Sequence, residues 1–286
     1  EIDKIEYPIV VKPVDSRASK GITVCWGKKD IKPAIKYALD NSIRKKLIFE
    51  KYMDKDEVCA KYFVANGEIF LSSFSDTYSY HKDGQKVSIN GKFFPSKHYN
   101  QFKENADVKI RNMIKSIGIK DGPLSFTAFY DDGKFRFFDP SFRLGGAQQW
   151  RIEAHATGVD KSTCMTNFAL LGSMGDTSQI SKIENGFDNK FGAMVFFLLK
   201  LGKIDKIVGL NEALKQSSVI GYCQSHYEGD IVHQWGTTDQ VAFWIHLVSS
   251  SKEKLISDIK IIQNLIRIND KDGNNMLLPN FNTDLL

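Results

Sequence analysis

An acid, a hydroxyl and a guanidinium stand at alternate positions near the middle of the chain, as Asp139, Ser141 and Arg143. In extended backbone, residues two apart share one face, so we expect these three side chains to point into the same space. An oxygen ligand can hold Mg²⁺ on phosphates, and a guanidinium can neutralise charge on a transferred phosphoryl group or an acyl phosphate. The spacing therefore indicates phosphoryl chemistry.

Two further acids, Glu50 and Glu57, lie on and just after a predicted strand at residues 47–53. The backbone N–H and C=O groups of such a stretch can hydrogen-bond the edge of an adenine, and Glu57 can accept hydrogen bonds from ribose hydroxyls. The alternative is an exposed edge strand with scattered acids. Without the neighbouring motifs, that alternative is the better interpretation.

Lys12 follows a short β-branched run at residues 9–11 and precedes a loop of small, polar and basic residues at 15–21. Pro13 closes the first strand, and apolar residues alternate over 22–26 as a returning strand, which predicts a hairpin with a long tip. A lysine beside such a loop can bind phosphate. Surface hairpins also commonly end in lysine, so the lysine is a weak signal when taken alone.

Apolar periodicity predicts that helices and short strands alternate along the chain, which indicates an α+β fold. Helices are expected over residues 30–39, capped by Asp30, and over residues 100–117. A later helix should begin with a capping box formed by Ser250 and Glu253.

Turn chemistry predicts two hairpins between short strands. The first turn is Asn66-Gly67, and the second is Asp131-Asp132-Gly133. Glycine and asparagine favour such turns because they adopt left-handed backbone at little cost. We therefore expect antiparallel pairing on both sides of each turn.

The composition is that of a globular protein with a mildly basic surface. Of its 286 residues 42% are apolar, and the net charge of +5 comes from lysines spread along the chain without dense basic blocks. This distribution argues against a nucleic-acid partner. No apolar run approaches the roughly 20 residues that span a bilayer, so no membrane insertion is expected. The four cysteines form no CxxC pair, and reduced thiols in a cytoplasm fit best.

Four motifs, in this order, resemble those of the ATP-grasp superfamily. They are P-I-V-V-K-P at 8–13, S-K-G-I at 19–22, F-E-K-Y-M-x-x-x-E at 49–57 and D-P-S-F-R-L-G-G at 139–146. Two named enzymes whose motifs they resemble are the carbamoyl-phosphate synthase large subunit and biotin carboxylase. The resemblance implies the ATP-grasp fold, an α+β architecture in which two lobes clamp a nucleotide.

The resemblance also implies a role for each matching residue. Lys12 would bind the phosphates of ATP, under a lid at 15–21 that contains Ser19, Lys20 and Gly21. Glu50, Lys51 and Met53 would bind the adenine, and Glu57 would bind the ribose. Mg²⁺ would be held by Asp139, Ser141 and Thr127, and Arg143 would lie near the reacting carbonyl. The implied activity is that of an ATP-dependent carboxylate–amine ligase, which activates a small-molecule carboxylate as an acyl phosphate for attack by an amine or similar nucleophile.

The metal positions depart from the superfamily pattern. Thr127 occupies the position of the first metal-binding acid, Asp139 is shorter than the usual glutamate, and Ser141 replaces the usual asparagine. One carboxylate and two hydroxyls hold Mg²⁺ less tightly than two carboxylates, because hard cations are retained largely by ligand charge. The alternative function is therefore a degenerate ATP-grasp module that binds nucleotide without ligase activity.

The resemblance divides the chain into a lid subdomain at 1–50, a large lobe at 51–175 with the phosphate and metal sites, and a carboxyl-terminal α+β subdomain at 187–286. The last of these resembles the corresponding region of the biotin carboxylase type through segments 201–210 and 272–277. The relatives carry an additional amino-terminal domain, which we expect to be missing here or to be a separate polypeptide. A homodimer is a further expectation.

Overall fold

The computed structural model describes residues 5–16, 19–82, 85–184 and 187–286. The strands are β1 (Ile9–Pro13), β2 (Thr23–Cys25), β3 (Leu47–Lys51), β4 (Asp56–Ala65), β5 (Glu68–Lys82), β6 (Gln85–Phe94), β7 (Gly122–Asp131), β8 (Lys134–Ser141), β9 (Phe191–Leu198), β10 (Gly202–Lys203), β11 (Lys206–Val208), β12 (Val219–Gln224), β13 (Ile231–Val232), β14 (Val241–Ser249) and β15 (Arg267–Asn269). The helices are α1 (Lys28–Asp40), α2 (Tyr99–Phe102), α3 (Val108–Ser116), α4 (Trp150–Thr157), α5 (Lys161–Leu171), α6 (Thr177–Ile180), α7 (Leu210–Ala213) and α8 (Lys252–Leu265). A π-helical segment, Lys103–Asp107, joins α2 to α3. Within the described ranges, no helix combines the length and the apolar character that crossing a membrane requires.

A small lobe is formed by a three-stranded antiparallel sheet of order β2-β1-β3, covered by α1. Ile31, Ala34 and Ala38 lie at helical spacing on the inner face of α1 and are buried in one cluster with Ile9 and Val11 of β1. The hairpin of β1 and β2 predicted from the sequence is confirmed.

Helix α1 begins at Lys28, earlier than the sequence predicted. Gly27 takes the N-cap position, and Asp30 lies in the first turn. The Asp30 carboxylate accepts hydrogen bonds from the backbone N–H groups of Trp26 and Gly27, at 2.9 and 3.1 Å. The acid therefore does stabilise the start of the helix, but by reaching back from the third helical position rather than as the cap itself.

A second lobe is built on an eight-stranded antiparallel sheet of order β12-β14-β9-β6-β5-β4-β7-β8. Asn66 and Gly67, with φ of 53° and 83°, form the predicted turn between β4 and β5. Asp132 and Gly133, with φ of 45° and 76°, form the predicted turn between β7 and β8. Both hairpins are confirmed, since left-handed backbone at both turn residues matches the twist of the flanking strands.

The two faces of this large sheet differ in chemistry. Helices α2 and α3 pack on one face, where Tyr62, Phe74 and Phe126 join Phe102 and Ile114 in a buried apolar cluster. Because side chains alternate along a strand, the residues between these point to the opposite face. That opposite face carries polar residues in its middle, while Phe63, Ala65 and Phe70 at one end are buried in a cluster with Cys164 of α5. Lys12 of the small lobe and Glu153 of α4 contact the polar part.

The carboxyl-terminal segment adds β9, β14 and β12 to the same sheet. Helix α8 packs against these strands through Leu255, Ile259 and Ile262. Its N-cap is Ser251, whose hydroxyl accepts a backbone hydrogen bond from the first turn, so the cap predicted at Ser250 was one residue too early. The sheet is continuous from β8 to β12, and the domain boundaries stay predictions.

Candidate functional site

Three rows of side chains cross the polar face of the large sheet. Directly paired residues of antiparallel strands point to the same face, and successive rows lie two residues, about 7 Å, apart along the strands. The first row is Ser73, Lys61, Ser125 and Ser141; the second is Ser75, Cys59, Thr127 and Asp139; the third is Lys92, Thr77, Glu57 and Phe129. We call these twelve residues the polar face.

The three predicted metal-binding residues come together on the polar face. Thr127 is paired directly with Asp139, and Ser141 lies two residues farther along β8. The set offers one carboxylate and two hydroxyls. Over the ranges that the structure describes, no group of three or more His, Cys, Asp or Glu side chains is arranged to hold a metal ion. The donor set is therefore poor in negative charge for a hard divalent cation.

Arg143 lies outside the strand, contrary to the expectation that it shares a face with Asp139. Strand β8 ends at Ser141, where the chain turns towards α4, so the alternation stops before Arg143. The Arg143 side chain is exposed and its Nη1 donates to the carbonyl of Leu144 at 3.0 Å. It lines a small cavity at the end of the polar face together with Lys61.

Two lysines on the polar face were missed by the sequence interpretation. Within the described ranges, neither the Lys61 nor the Lys92 ammonium group has a hydrogen-bond or ion-pair partner. Lys61 Nζ lies 3.8 Å from the point that a Cβ on Gly145 would occupy. Glu57, Cys59 and Lys61 alternate along β4, which is a period-2 signal. That signal identifies a shared face, but not which residues of other strands lie beside it.

The two ammonium groups act on their neighbours. Burial alone would raise the pKa of the Cys59 thiol, but the charges of Lys61 and Lys92 outweigh it and the pKa is lowered. Burial lowers the pKa of Lys92, and the like charge of Lys61 lowers it further. A divalent cation would meet the same repulsion here. The polar face therefore does not fit a tightly held Mg²⁺ and suits an anion instead.

The small lobe meets the polar face at Lys12. Lys12 Nζ lies 2.6 Å from Glu50 Oε2 and 5.8 Å from the centre of the Phe138 ring. Phe138 is the extra residue of a bulge in β8, and its ring stacks on Phe129 with centroids 4.7 Å apart. Lys12 and Glu50 thus lie at the margin of the polar face, and we call the space between them and that face the cleft.

The connection between the lobes carries the other residues predicted to bind nucleotide. Lys51 is exposed at the end of β3, and Met53 is half-buried in the connection. Glu57 lies at the start of β4 and forms an ion pair of 2.5 Å with Lys86 of β6. Glu50, Lys51, Met53 and Glu57 therefore follow one another from the small lobe to the polar face.

Part of the predicted lid lies outside the described residues, namely 17–18. Ser19 and Lys20 are exposed. Gly21 has φ of 80°, and a Cβ there would lie 2.9 Å from Pro13 Cγ. Only glycine fits at this position, because other residues would be both strained and crowded.

A buried ion pair supports the first row of the polar face. Glu153 of α4 and Lys161 of α5 are paired, with 1% and 3% of their surfaces exposed. Burial alone would raise the pKa of Glu153, but Lys161 outweighs it and the pKa is lowered. Ser73 Oγ donates to Glu153 at 2.7 Å, and the Gln149 amide donates to Ser73 at 3.1 Å. These contacts hold the strand beside Lys61 in place.

A second groove lies in the carboxyl-terminal segment, away from the polar face. It is lined by Ile207, Gly209, Leu210, Asn211, Glu212, Gln224, Tyr227 and Glu228. With two acids and no basic residue, this groove does not suit a nucleotide. The cleft beside Lys12 is therefore the candidate site.

No protein-family model matches the chain, and no curated protein matches it. Solved structures do. An L-amino acid ligase from Bacillus licheniformis superposes with a TM-score of 0.74 at 18% identity, covering 93% of this chain and 64% of that one. A biotin carboxylase from Campylobacter jejuni, solved as a βγ-ATP complex, superposes with a TM-score of 0.67 at 18% identity. The match covers 93% of this chain and 59% of that one.

A third structure is the biotin carboxylase domain dimer of the Hydrogenobacter thermophilus 2-oxoglutarate carboxylase, solved with MgADP and bicarbonate. Its TM-score is 0.63 at 13% identity, covering 96% of this chain and 64% of that one. The chain spans less than two thirds of the length of each of these three structures. At such identities the likeness concerns the fold.

Proposed function

We propose, on the premise that the chain has the ATP-grasp fold, that it binds ATP between the small lobe and the polar face and forms part of an ATP-dependent carboxylate–amine ligase. The observation that carries the proposal is that the Lys61 and Lys92 ammonium groups, on the polar face that Lys12 adjoins, have no hydrogen-bond or ion-pair partner among the described residues. A polyphosphate provides the negative charge that this cleft lacks.

In this proposal the residues along the lobe connection bind the nucleoside. The backbone near Glu50, Lys51 and Met53 hydrogen-bonds the adenine edge, and Glu57 accepts from the ribose hydroxyls. The Glu57 carboxylate has one oxygen on Lys86 and its other oxygen available to the sugar.

The phosphates extend from there across the polar face. Lys12 binds them from the small lobe, with the loop residues Ser19, Lys20 and Gly21 above. Asp139, Ser141 and Thr127 are the oxygen donors closest to this path. Mg²⁺, where bound, would neutralise phosphate charge, but the site fits it poorly because it offers a single carboxylate.

The reaction proceeds in two steps. A carboxylate oxygen attacks the γ-phosphorus, the bond from that phosphorus to the bridging oxygen breaks, and ADP leaves. The amine nitrogen then attacks the acyl carbon and loses one proton, the C–O bond to phosphate breaks, and inorganic phosphate leaves. Arg143, near the end of the polar face, stabilises negative charge on the acyl phosphate.

The second candidate function is a degenerate ATP-grasp module that binds nucleotide without ligase activity. Thr127 favours it, since a hydroxyl stands where the superfamily pattern has an acid, and Lys61 and Lys92 add positive charge beside it. The two candidates share the nucleotide site and differ in turnover.

ADP formation by the full polypeptide distinguishes the two candidates. The ligase proposal predicts ADP release that depends on an added carboxylic acid and rises with an amine; a screen of single acids and amines would identify both substrates. ATP binding by calorimetry, combined with no ADP release across the screen, would favour the degenerate module. No ATP binding at all would contradict both.

From the same resemblance we also propose that the reaction is of the carbamoyl-phosphate synthase type. We further propose that the protein is cytoplasmic and forms a homodimer. Sedimentation of the purified protein tests the dimer, and carbamoyl phosphate formation from bicarbonate, ammonia and ATP tests the reaction type.

A further inference from the structure

We propose that the ammonium groups of Lys61 and Lys92 bind the nucleotide's polyphosphate in place of a divalent metal ion, so that this chain binds nucleotide without Mg²⁺. The inference rests on the proposed nucleotide site and deepens it. It concerns the chemistry of phosphate recognition, and holds whether or not the chain turns ATP over.

Register puts Lys61 beside the predicted metal position, whereas Lys92 lies on β6, four strands from the β8 strand that carries Asp139. Lys61 is paired with Ser125, which is paired in turn with Ser141. Cys59, one position along the same face, is paired with Thr127 and is influenced by both lysine charges. Both ammonium groups therefore act at Cys59, the neighbour of Thr127 in the second row, and a polyphosphate lying across this row could contact both.

The charged side chains at the cleft carry more positive than negative charge. Three cations are already paired: Lys12 with Glu50, Lys86 with Glu57, and Lys161 with Glu153. Among the described residues of the polar face, Lys61 and Lys92 stand against the single carboxylate of Asp139, and the exposed Arg136, paired with Phe129, and Arg143, beside the face, add further positive charge. A site built to hold a metal ion has the opposite balance, because the ligands must supply the negative charge.

Two buried hydroxyls on the polar face also lack partners. Within the described ranges, Ser75 Oγ and Thr77 Oγ1 make no hydrogen bond. Ser75 is fully buried, and only 6% of the surface of Thr77 is exposed. Thr77 is paired directly with Lys92, and Ser75 with Cys59. Buried polar groups are normally satisfied, so these hydroxyls point to a polar ligand at the same place.

The test compares ATP binding by calorimetry in excess EDTA and in excess Mg²⁺. We expect the wild-type dissociation constants in the two conditions to differ by less than about threefold. In EDTA, Lys61→Met and Lys92→Met should each weaken binding by about tenfold or more, because each removes a charge-assisted contact to phosphate.

Charge and packing are separated by further variants. Lys61→Arg keeps the charge and should retain most of the EDTA affinity. Lys109→Met removes an exposed lysine from α3, on the other side of the sheet, and should leave affinity unchanged. Thermal melting confirms that each variant is folded, so a loss of binding can be assigned to the site.

The outcomes separate this inference from the proposed function. Binding of ATP only with Mg²⁺, with both methionine variants unaffected, would overturn the inference while leaving the nucleotide site intact. Absence of ATP binding in both conditions, with tripolyphosphate still bound in EDTA through Lys61 and Lys92, would support the anion site and reject the nucleotide function. No binding of either ligand would reject both.

Discussion

Lys12 Nζ lies 2.6 Å from Glu50 Oε2, across the two neighbouring strands β1 and β3 of the small lobe. The pair joins a residue predicted to bind phosphate to one predicted to border the adenine. It also holds the Lys12 ammonium group near the Phe138 ring at the edge of the cleft. The Lys12 side chain would therefore already be oriented towards the phosphates before the nucleotide binds.

Replacement of Lys12 should weaken phosphate binding specifically. Lys12→Met removes a charged donor, which we expect to lower ATP and ADP affinity by about tenfold to a hundredfold and to leave adenosine affinity unchanged. Calorimetry with the three ligands measures this. Lys36→Met, an exposed lysine of α1 paired with Asp40, is the matched control. An equal loss for adenosine would mean that Lys12 shapes the lobe rather than binding phosphate.

Replacement of Glu57 should remove discrimination at the ribose. Glu57→Ala is expected to weaken ATP binding by about tenfold, because the carboxylate accepts hydrogen bonds from the sugar hydroxyls. Affinity for 2′,3′-dideoxy-ATP should not change. Glu68→Ala, an exposed acid at the other end of the β4–β5 hairpin, serves as control. Equal losses for both nucleotides would take Glu57 out of the ribose role.

A carboxylate at position 127 should make nucleotide binding more dependent on metal. Thr127→Glu adds a charged oxygen ligand directly opposite Asp139, so we expect the ratio of ATP affinities with and without Mg²⁺ to rise by about tenfold. Thr127→Gln has the same size without the charge and should show no rise. The effect should be larger when combined with Lys61→Met. An unchanged ratio would count against Thr127 as a metal position.

Asp107 should contribute to stability in a way that depends on pH. Its buried carboxylate accepts hydrogen bonds from Tyr62 at 2.6 Å, Lys103 at 2.7 Å and Arg111 at 2.9 Å. Burial alone would raise its pKa, but these three donors outweigh it and the pKa is lowered. A carboxylate with a lowered folded-state pKa stabilises the fold above its unfolded pKa, and the contribution is lost as pH falls through the folded value.

Asp107→Asn should therefore lower the free energy of unfolding by about 2 kcal/mol at neutral pH, because it removes the charge from a buried hydrogen-bond acceptor while Glu184 stays paired with Lys103 and Arg111. The difference from wild type should narrow below about pH 4. Denaturant unfolding at several pH values measures both effects. Asp132→Asn, at an exposed turn, should change stability by less than about 0.5 kcal/mol. A difference that stays constant with pH would contradict the assignment of the pKa.

Local chemistry let the sequence alone determine several parts of the fold. The hairpins at Asn66-Gly67 and at residues 131–133 are confirmed, because a turn that needs left-handed backbone is specified by the residues within it. The ATP-grasp fold expected from the order of the motifs is confirmed as well. Helix starts at Asp30 and Ser250 were misplaced, because neighbouring residues can satisfy the same backbone donors.

Tertiary structure alone decided which residues share the polar face. Thr127 and Asp139 belong to one hairpin, so their pairing follows from a local turn. Lys61 and Lys92 lie on different strands with a third strand between them, and only the register across that strand brings both charges to Cys59, the neighbour of Thr127. A shift of one residue in either pairing would turn a lysine to the apolar face. Register depends on how the whole sheet buries its apolar side, which no short stretch of sequence contains.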